Sequence, residues 1–99
     1  MIRHTVVFKL KHAAGSQAEL DFLRSARKLA DLPVVKSFEC LRQISEKNIY
    51  DFGLSMEFTS LEDYQVYNSH PDHVNFVQTR WIPEVTDFME IDFEPLKEK

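Results

Sequence analysis

The sequence predicts an α+β fold in which strands and helices follow one another in the order β-α-β-β-α-β. Two observations lead to this prediction. Apolar residues alternate along several segments with the period of a half-buried strand, and stretches with helical periodicity and helix-capping residues separate these segments. The chain has 99 residues, of which 43% are hydrophobic, so it is long enough for one hydrophobic core. Residues 1–99 are therefore expected to form a single domain.

The first strand and the first helix are predicted between residues 2 and 33. One strand face collects the side chains of Ile2, His4, Val6, Phe8 and Leu10. The segment SQAE at 16–19 has the spacing of a capping box, in which Ser16 accepts a hydrogen bond from the backbone of Glu19. In the helix that follows, one stripe contains Ala18, Phe22, Leu23, Ala26, Leu29 and Ala30. This stripe is expected to pack on a sheet, and Pro33 ends the helix.

Two more strands are predicted in the middle of the chain. The second strand covers residues 34–44, and a short polar break separates it from the third. One side of the third strand carries Tyr50, Phe52, Leu54, Met56 and Phe58. Because the break between the two strands is short, they are expected to form an antiparallel hairpin.

Two helices and a last strand complete the prediction. Thr59 or Ser60 is expected to cap a helix over 61–68, and Pro71 suits the first turn of another. This second helix carries Val74, Phe76, Val77 and Trp81, and Pro83 lies near its end. The last strand, over 86–94, places Phe88, Glu90 and Asp92 on one face and Met89, Ile91 and Phe93 on the other.

This order of elements matches the ferredoxin-like plait, a four-stranded antiparallel sheet with both helical connections on one face. The opposite face then exposes Val7, Met89, Ile91 and Phe93. A large apolar patch on a soluble protein usually marks an interface. We therefore expect two copies of the chain to pack sheet to sheet as a homodimer.

Composition and charge restrict the class of partner. The formal net charge of −4 disfavours nucleic acid, because binding a phosphate backbone requires a basic surface. No apolar run is long enough to span a membrane and no signal peptide is recognisable, so we expect a cytoplasmic protein without a membrane partner. The single cysteine, Cys40, alternates with Phe38 and is interpreted as a small core residue.

Four segments of the sequence resemble one known family. The segments MIRHTVVFKLK, YDFGLSMEFTSLEDYQVY, HPDHVNFV and WIPEVTDFMEIDFEP are similar to those of the stress-responsive A/B-barrel (Dabb) domains, and the resemblance covers nearly all 99 residues. It implies a ferredoxin-like monomer that forms a homodimeric α+β barrel. It implies less about activity, because most members of the family have no assigned reaction.

One enzymatic member of this family cyclises a linear polyketide by aldol condensation without metal or cofactor. The resemblance to it implies that His73 is a general base and that Asp92 orients it. The enzyme's pocket tyrosine and first-strand histidine correspond to Tyr67 and His4. Two other positions depart from that enzyme: a tyrosine on its first helix corresponds to Ala26, and a third-strand histidine corresponds to Phe52. These departures imply that the substrate differs.

The four matched residues also have a purely structural interpretation. An imidazole can transfer protons at cellular pH, and a carboxylate on its second nitrogen fixes the tautomer. His73 near the third position of its helix is therefore predicted to contact Asp92. Alternatively, His73 packs in the first helical turn, Tyr67 edges the core and His4 is a hydrogen-bonded core residue.

The remaining histidine of the segment HPDH, and the possibility of a metal, complete the prediction of the site. His70 precedes Pro71 and is expected to cap the helix that follows. A His-x-x-His pair supplies only two metal ligands and no third is apparent, so neither metal nor cofactor is expected. The predicted function is the binding of a small hydrophobic or phenolic molecule. The alternatives are cofactor-independent proton transfer, as in a cyclase or isomerase, and the monooxygenase chemistry of related dimeric barrels.

Overall fold

The protein has a four-stranded antiparallel sheet with the strand order β2-β3-β1-β4, which is the ferredoxin-like plait. The computed structural model describes residues 1–97, so the last two residues of the predicted domain lie outside the described part. The strands are β1 (Ile2–Leu10), β2 (Lys36–Arg42), β3 (Phe52–Phe58) and β4 (Val85–Phe93). The helices are α1 (Gln17–Arg27), α2 (Leu61–Ser69), α3 (Pro71–Phe76) and α4 (Ile82–Glu84). The predicted order of strands and helices is confirmed.

Side-chain caps begin three of these helices at the predicted residues. At the start of α1, Ser16 accepts a hydrogen bond from the Glu19 backbone N–H at 3.2 Å. At the start of α2, Ser60 accepts one from the Asp63 backbone N–H at the same distance. Glu19 reaches back to the backbone N–H of Gly15, one residue earlier than in a standard capping box. His70 Nδ1 accepts from the Asp72 N–H at 3.1 Å, so the predicted cap of α3 is confirmed.

The structure corrects two boundaries of the sequence prediction. In the predicted α1 stripe, Ala18 and Ala30 are exposed. The chain turns into a 3₁₀ helix at Lys28–Asp31, whose wider angle per residue moves Ala30 out of the stripe. The second strand is shorter than the predicted residues 34–44, since it spans Lys36–Arg42. Within it, the pairing with β3 shifts between Lys36 and Glu39, around Ser37 at a positive φ of 50°.

The hydrophobic core lies between the helices and the inner face of the sheet. On β1 and β3 the inner face consists of His4, Val6, Phe8, Leu10, Phe52, Leu54, Met56 and Phe58, all of them buried. Aromatic rings join the two layers, since the Phe8 ring lies 5.8 Å from that of Phe22 and 5.0 Å from that of Trp81. The helical layer contributes the buried side chains Phe22, Leu23, Ala26, Leu29, Tyr67 and Phe76.

The last helical stretch changes its winding before it reaches β4. Between α3 and α4 the chain forms a π-helical segment, Val77–Trp81, which alters the direction of the following side chains. A polar network fixes the end of this stretch. Glu84 accepts hydrogen bonds from Arg80 Nε and pairs with His12 Nε2, both at 2.6 Å. The second partner ties the helical end to the segment that follows β1.

The outer face of the sheet carries the predicted apolar patch. Val7 is half-buried, and Met89, Ile91 and Phe93 are 48%, 43% and 53% exposed. No helix within residues 1–97 is both long enough and apolar enough to cross a membrane.

We predict that Phe52→Ala and Leu54→Ala each lower the free energy of unfolding by about 2–5 kcal/mol, because both side chains are buried in the centre of the sheet. Chemical denaturation at fixed protein concentration measures the change. Ile44→Ala, at a side chain that is 87% exposed, is the control and should alter stability by less than about 0.5 kcal/mol. A loss below about 1 kcal/mol at both buried positions would contradict the prediction.

Candidate functional site

A cavity of about 490 Å³ lies between the inner face of the sheet and the helices. Most of its lining is apolar: Val6, Leu29, Leu54, Met56, Phe76, Val77, Trp81, Ile82, Val85 and Phe88. Five polar residues complete it: His4, Tyr67, Asn68, His73 and Glu90. Three of the four predicted site residues, His4, Tyr67 and His73, therefore line one cavity. The fourth, Asp92, does not line it but is hydrogen-bonded to His4.

The register of β1 and β4 places His4 directly opposite Asp92. The His4 Nδ1 atom lies 2.6 Å from Asp92 Oδ1. The hydroxyl of Tyr64 donates to Asp92 Oδ2 at 2.7 Å and lies 3.0 Å from His4 Nδ1. His4 is buried, whereas the Asp92 side chain is 39% exposed. These three side chains form a hydrogen-bonded cluster at one side of the cavity.

The predicted pairing of His73 with Asp92 is wrong. His73 occupies the third position of α3, and its Nδ1 donates to the backbone carbonyl of Asn68 at 3.2 Å. It thereby satisfies a carbonyl at the end of α2, while strand register gives Asp92 to His4. The carboxylate partner that the sequence prediction assigned to one histidine thus belongs to the other.

In both cavity histidines, Nε2 is the ring nitrogen that can accept a hydrogen bond from a ligand. A carboxylate or a backbone carbonyl can only accept a hydrogen bond, so Nδ1 carries the proton in His4 and in His73. In the neutral ring Nε2 is then an acceptor and a base. Burial lowers the pKa of His73 below its ordinary value, and the hydrogen bond to Asn68 opposes part of this shift. His73 is therefore neutral at neutral pH.

Tyr67 connects the two imidazoles. Its ring lies 6.1 Å from that of His4 and 4.2 Å from that of His73, between centroids. Burial raises the pKa of Tyr67, so its hydroxyl keeps its proton and remains a hydrogen-bond donor. The cavity thus combines two imidazole acceptors with one phenolic donor at its polar end.

Sequence reasoning missed two residues of this region, Tyr64 and Glu90. Tyr64 precedes Tyr67 by three residues, a helical spacing that places both on one face of α2. Glu90 precedes Asp92 by two residues and shares its strand face. Both spacings are present in the sequence, but neither one identifies the residues that Tyr64 and Glu90 contact.

The two positions that depart from the polyketide cyclase lie in the core. Ala26 is fully buried and Phe52 is 4% exposed, and neither lines the cavity. Cys40 is half-buried against the core, and burial raises the pKa of its thiol. Across residues 1–97 the structure contains no group of three or more histidine, cysteine, aspartate or glutamate side chains that is arranged to hold a metal ion.

Comparison with known proteins gives close matches in sequence and in structure. The family model for the stress responsive A/B barrel domain (Dabb) matches residues 2–95. The chain is 33% identical over 95 residues to a stress-response A/B barrel domain-containing protein of Arabidopsis thaliana. This match covers 94% of the chain but only 36% of that relative. A Dabb family protein from Mesorhizobium loti is 57% identical, with a TM-score of 0.96 and 97% of both chains covered.

Two solved structures of lower identity share the fold. One is a dimeric protein with a ferredoxin-like fold from Bacteroides fragilis, with 22% identity, a TM-score of 0.72 and 94% of each chain covered. The other is a hydroxynitrile lyase from Passiflora edulis, with 12% identity and a TM-score of 0.84, covering 99% of this chain and 95% of that one.

Proposed function

The chain belongs to the stress-responsive A/B barrel domain family, and we propose that it binds a small molecule with an apolar body and a hydroxyl or phenol group. The observation that carries this proposal is the cavity of about 490 Å³, which has a mostly apolar lining and two imidazoles at one end. Ligand pockets typically measure ~300–1,000 Å³ and combine an apolar lining with a few convergent polar groups. This cavity has both properties.

The two ends of the cavity indicate how such a ligand lies. Trp81 and Phe88 contact each other edge to face at 5.5 Å, and Phe76 lies 6.4 Å from Trp81, so an aromatic wall receives the apolar body. At the polar end, the Nε2 atom of either His4 or His73 accepts the one hydrogen bond that the ligand's hydroxyl group can donate. Burial of the body supplies most of the affinity, and the imidazoles supply the orientation.

We also propose that the protein is a homodimer, that it is cytoplasmic and that it takes part in a stress response. The exposed patch of Val7, Met89, Ile91 and Phe93 supports the homodimer, because a second copy of the sheet would cover it. The dimeric relative from B. fragilis supports the same assembly. The half-buried, free thiol of Cys40 accords with a reducing compartment.

Cofactor-independent proton transfer is the second candidate, and the cluster of His4, Asp92 and Tyr64 favours it. In this mechanism His4 Nε2 removes a proton from a carbon next to a carbonyl group, and Asp92 stabilises the imidazolium that forms. Tyr67 donates a hydrogen bond to the carbonyl oxygen as it gains negative charge. His73, which has a lowered pKa and a carbonyl in place of a carboxylate on Nδ1, is the weaker base of the two. The lyase with the same fold supports this candidate.

The binding function predicts that 2-phenylethanol quenches or shifts the fluorescence of Trp81, the only tryptophan, which lines the cavity. Val77→Phe fills the cavity and should weaken binding at least about tenfold, as measured by calorimetry. Val66→Phe, at an exposed position of α2 outside the cavity, is the matched control and should bind as the wild type does. Equal affinities in all three proteins would place the binding site elsewhere.

The enzymatic candidate predicts exchange of the α-hydrogens of 4-phenylbutan-2-one in deuterated water, followed by NMR. His4→Gln should lower the exchange rate by about 10²-fold or more, because the base is removed. His73→Gln should lower it less, and His70→Ala, which removes only a helix cap, should leave it unchanged. A wild-type rate equal to that of buffer would rule out this candidate.

The homodimer predicts a sedimentation mass of two chains at micromolar concentration, with an interface of roughly 800 Å² or more per subunit. Ile91→Glu places a charge in the apolar patch and should give monomers. Leu20→Glu, at an exposed position of α1, is the control and should remain dimeric. A monomeric wild-type protein would refute the assembly.

A further inference from the structure

One side chain of the cavity has no part in the hydrogen-bonded cluster or in the proposed contacts to a hydroxyl group. Glu90 lies on β4 directly opposite Val6, on the strand face that also carries Asp92. It lines the cavity beside Tyr67 and His73 and affects the titration of both side chains. In the part of the chain that the structure describes, Glu90 is the one carboxylate in this mostly apolar lining, so it favours one sign of charge on the ligand that the cavity accepts.

No cation among the described residues neutralises this carboxylate. Within residues 1–97 the cavity lining contains neither lysine nor arginine, and Glu90 takes part in none of the ion pairs. The two histidines do not compensate for it. His73 is neutral at neutral pH, because burial lowers its pKa, and any charge on His4 is balanced by Asp92. The polar end of the cavity is therefore negative.

One aromatic ring at the polar end adds to this preference. An aromatic ring attracts a cation through its negative face, and the Tyr67 ring lies at the polar end. Trp81 and Phe88 border the apolar end, where the body of the ligand lies. The Glu90 carboxylate and the Tyr67 ring together favour a positively charged group on the ligand, whereas a ligand carboxylate would meet Glu90 without a compensating cation.

We propose that the cavity selects small ligands that carry a protonated amine on an apolar body, and that Glu90 determines this selection. The inference rests on the proposed binding function and refines its ligand class: at the end of the apolar body, a protonated amine is favoured over a neutral hydroxyl group. The amine is held at the polar end, where Glu90 supplies the charge and the two imidazoles accept N–H hydrogen bonds. The apolar body lies against Trp81.

A series of three ligands with the same phenyl body tests this proposal. The ligands are 2-phenylethylamine, which is cationic, 2-phenylethanol, which is neutral, and 3-phenylpropionate, which is anionic. Affinities are measured at low ionic strength from Trp81 fluorescence and by calorimetry. We expect the amine to bind about two- to fivefold more tightly than the alcohol, as a partly exposed ion pair allows, and the acid to bind most weakly. Added salt should reduce this difference.

Three variants of β4 provide the controls. Glu90→Gln should remove the preference, so that the amine no longer binds more tightly than the alcohol, and Glu90→Lys should reverse the order of amine and acid. Asp87→Asn changes an exposed carboxylate of the same strand outside the cavity and should keep the wild-type order. Because Glu90 is exposed, these changes leave the core intact, which thermal unfolding verifies.

The outcomes separate this proposal from the function on which it rests. Binding of all three ligands with equal affinity, or an amine preference that survives in Glu90→Gln, overturns the charge selection and leaves the binding function standing. Failure of all three ligands to bind overturns both.

Discussion

The antiparallel pairing of β1 with β4 determines which polar side chains meet beside the cavity. Its register sets His4 opposite Asp92 and Val6 opposite Glu90. A shift of one residue would turn every side chain of β4 to the other face of the sheet. His4 would then lose its carboxylate, and the cavity lining would lose Glu90. The electrostatics of the site therefore depend on a backbone hydrogen-bond ladder that joins the two ends of the chain.

The opposite wall of the cavity depends on the helical stretch that leads into β4. Its π-helical segment directs Trp81 onto Phe8 and Phe88, and the pairing of Glu84 with Arg80 and His12 holds its end against the segment after β1. Because β4 begins directly after Glu84, the same network also fixes where that strand starts. The position of this cavity wall and the register of β4 are thus coupled, since a displaced helical end would displace Glu90 and Asp92 as well.

The sequence predicts the elements of this fold better than it predicts the contacts between them. Alternating apolar residues identify β1 and β3, and the capping residues Ser16, Ser60 and His70 identify the helix starts, because these signals depend on near neighbours in the chain. Three predicted site residues do line one cavity. The partner of Asp92, however, depends on strand register, and the hydrogen bond of His73 depends on how closely α3 follows α2. Tyr64 was missed for the same reason, because its partner lies on β4.

The two proposed functions, binding and proton transfer, require the same arrangement of side chains, and the chemistry of the ligand separates them. The Asp92 side chain is 39% exposed, so solvent weakens its interaction with a charged His4 ring. A ligand that fills the cavity removes water from the side of the His4 ring that carries Nε2. The stability of the charged ring, and the contribution of Asp92 to it, then depend more strongly on the ligand groups that face the ring. A ligand without an acidic hydrogen would leave His4 as a hydrogen-bond acceptor. A ligand with an activated C–H bond would make it a base, so the chemistry of the bound molecule would decide between the two proposed functions.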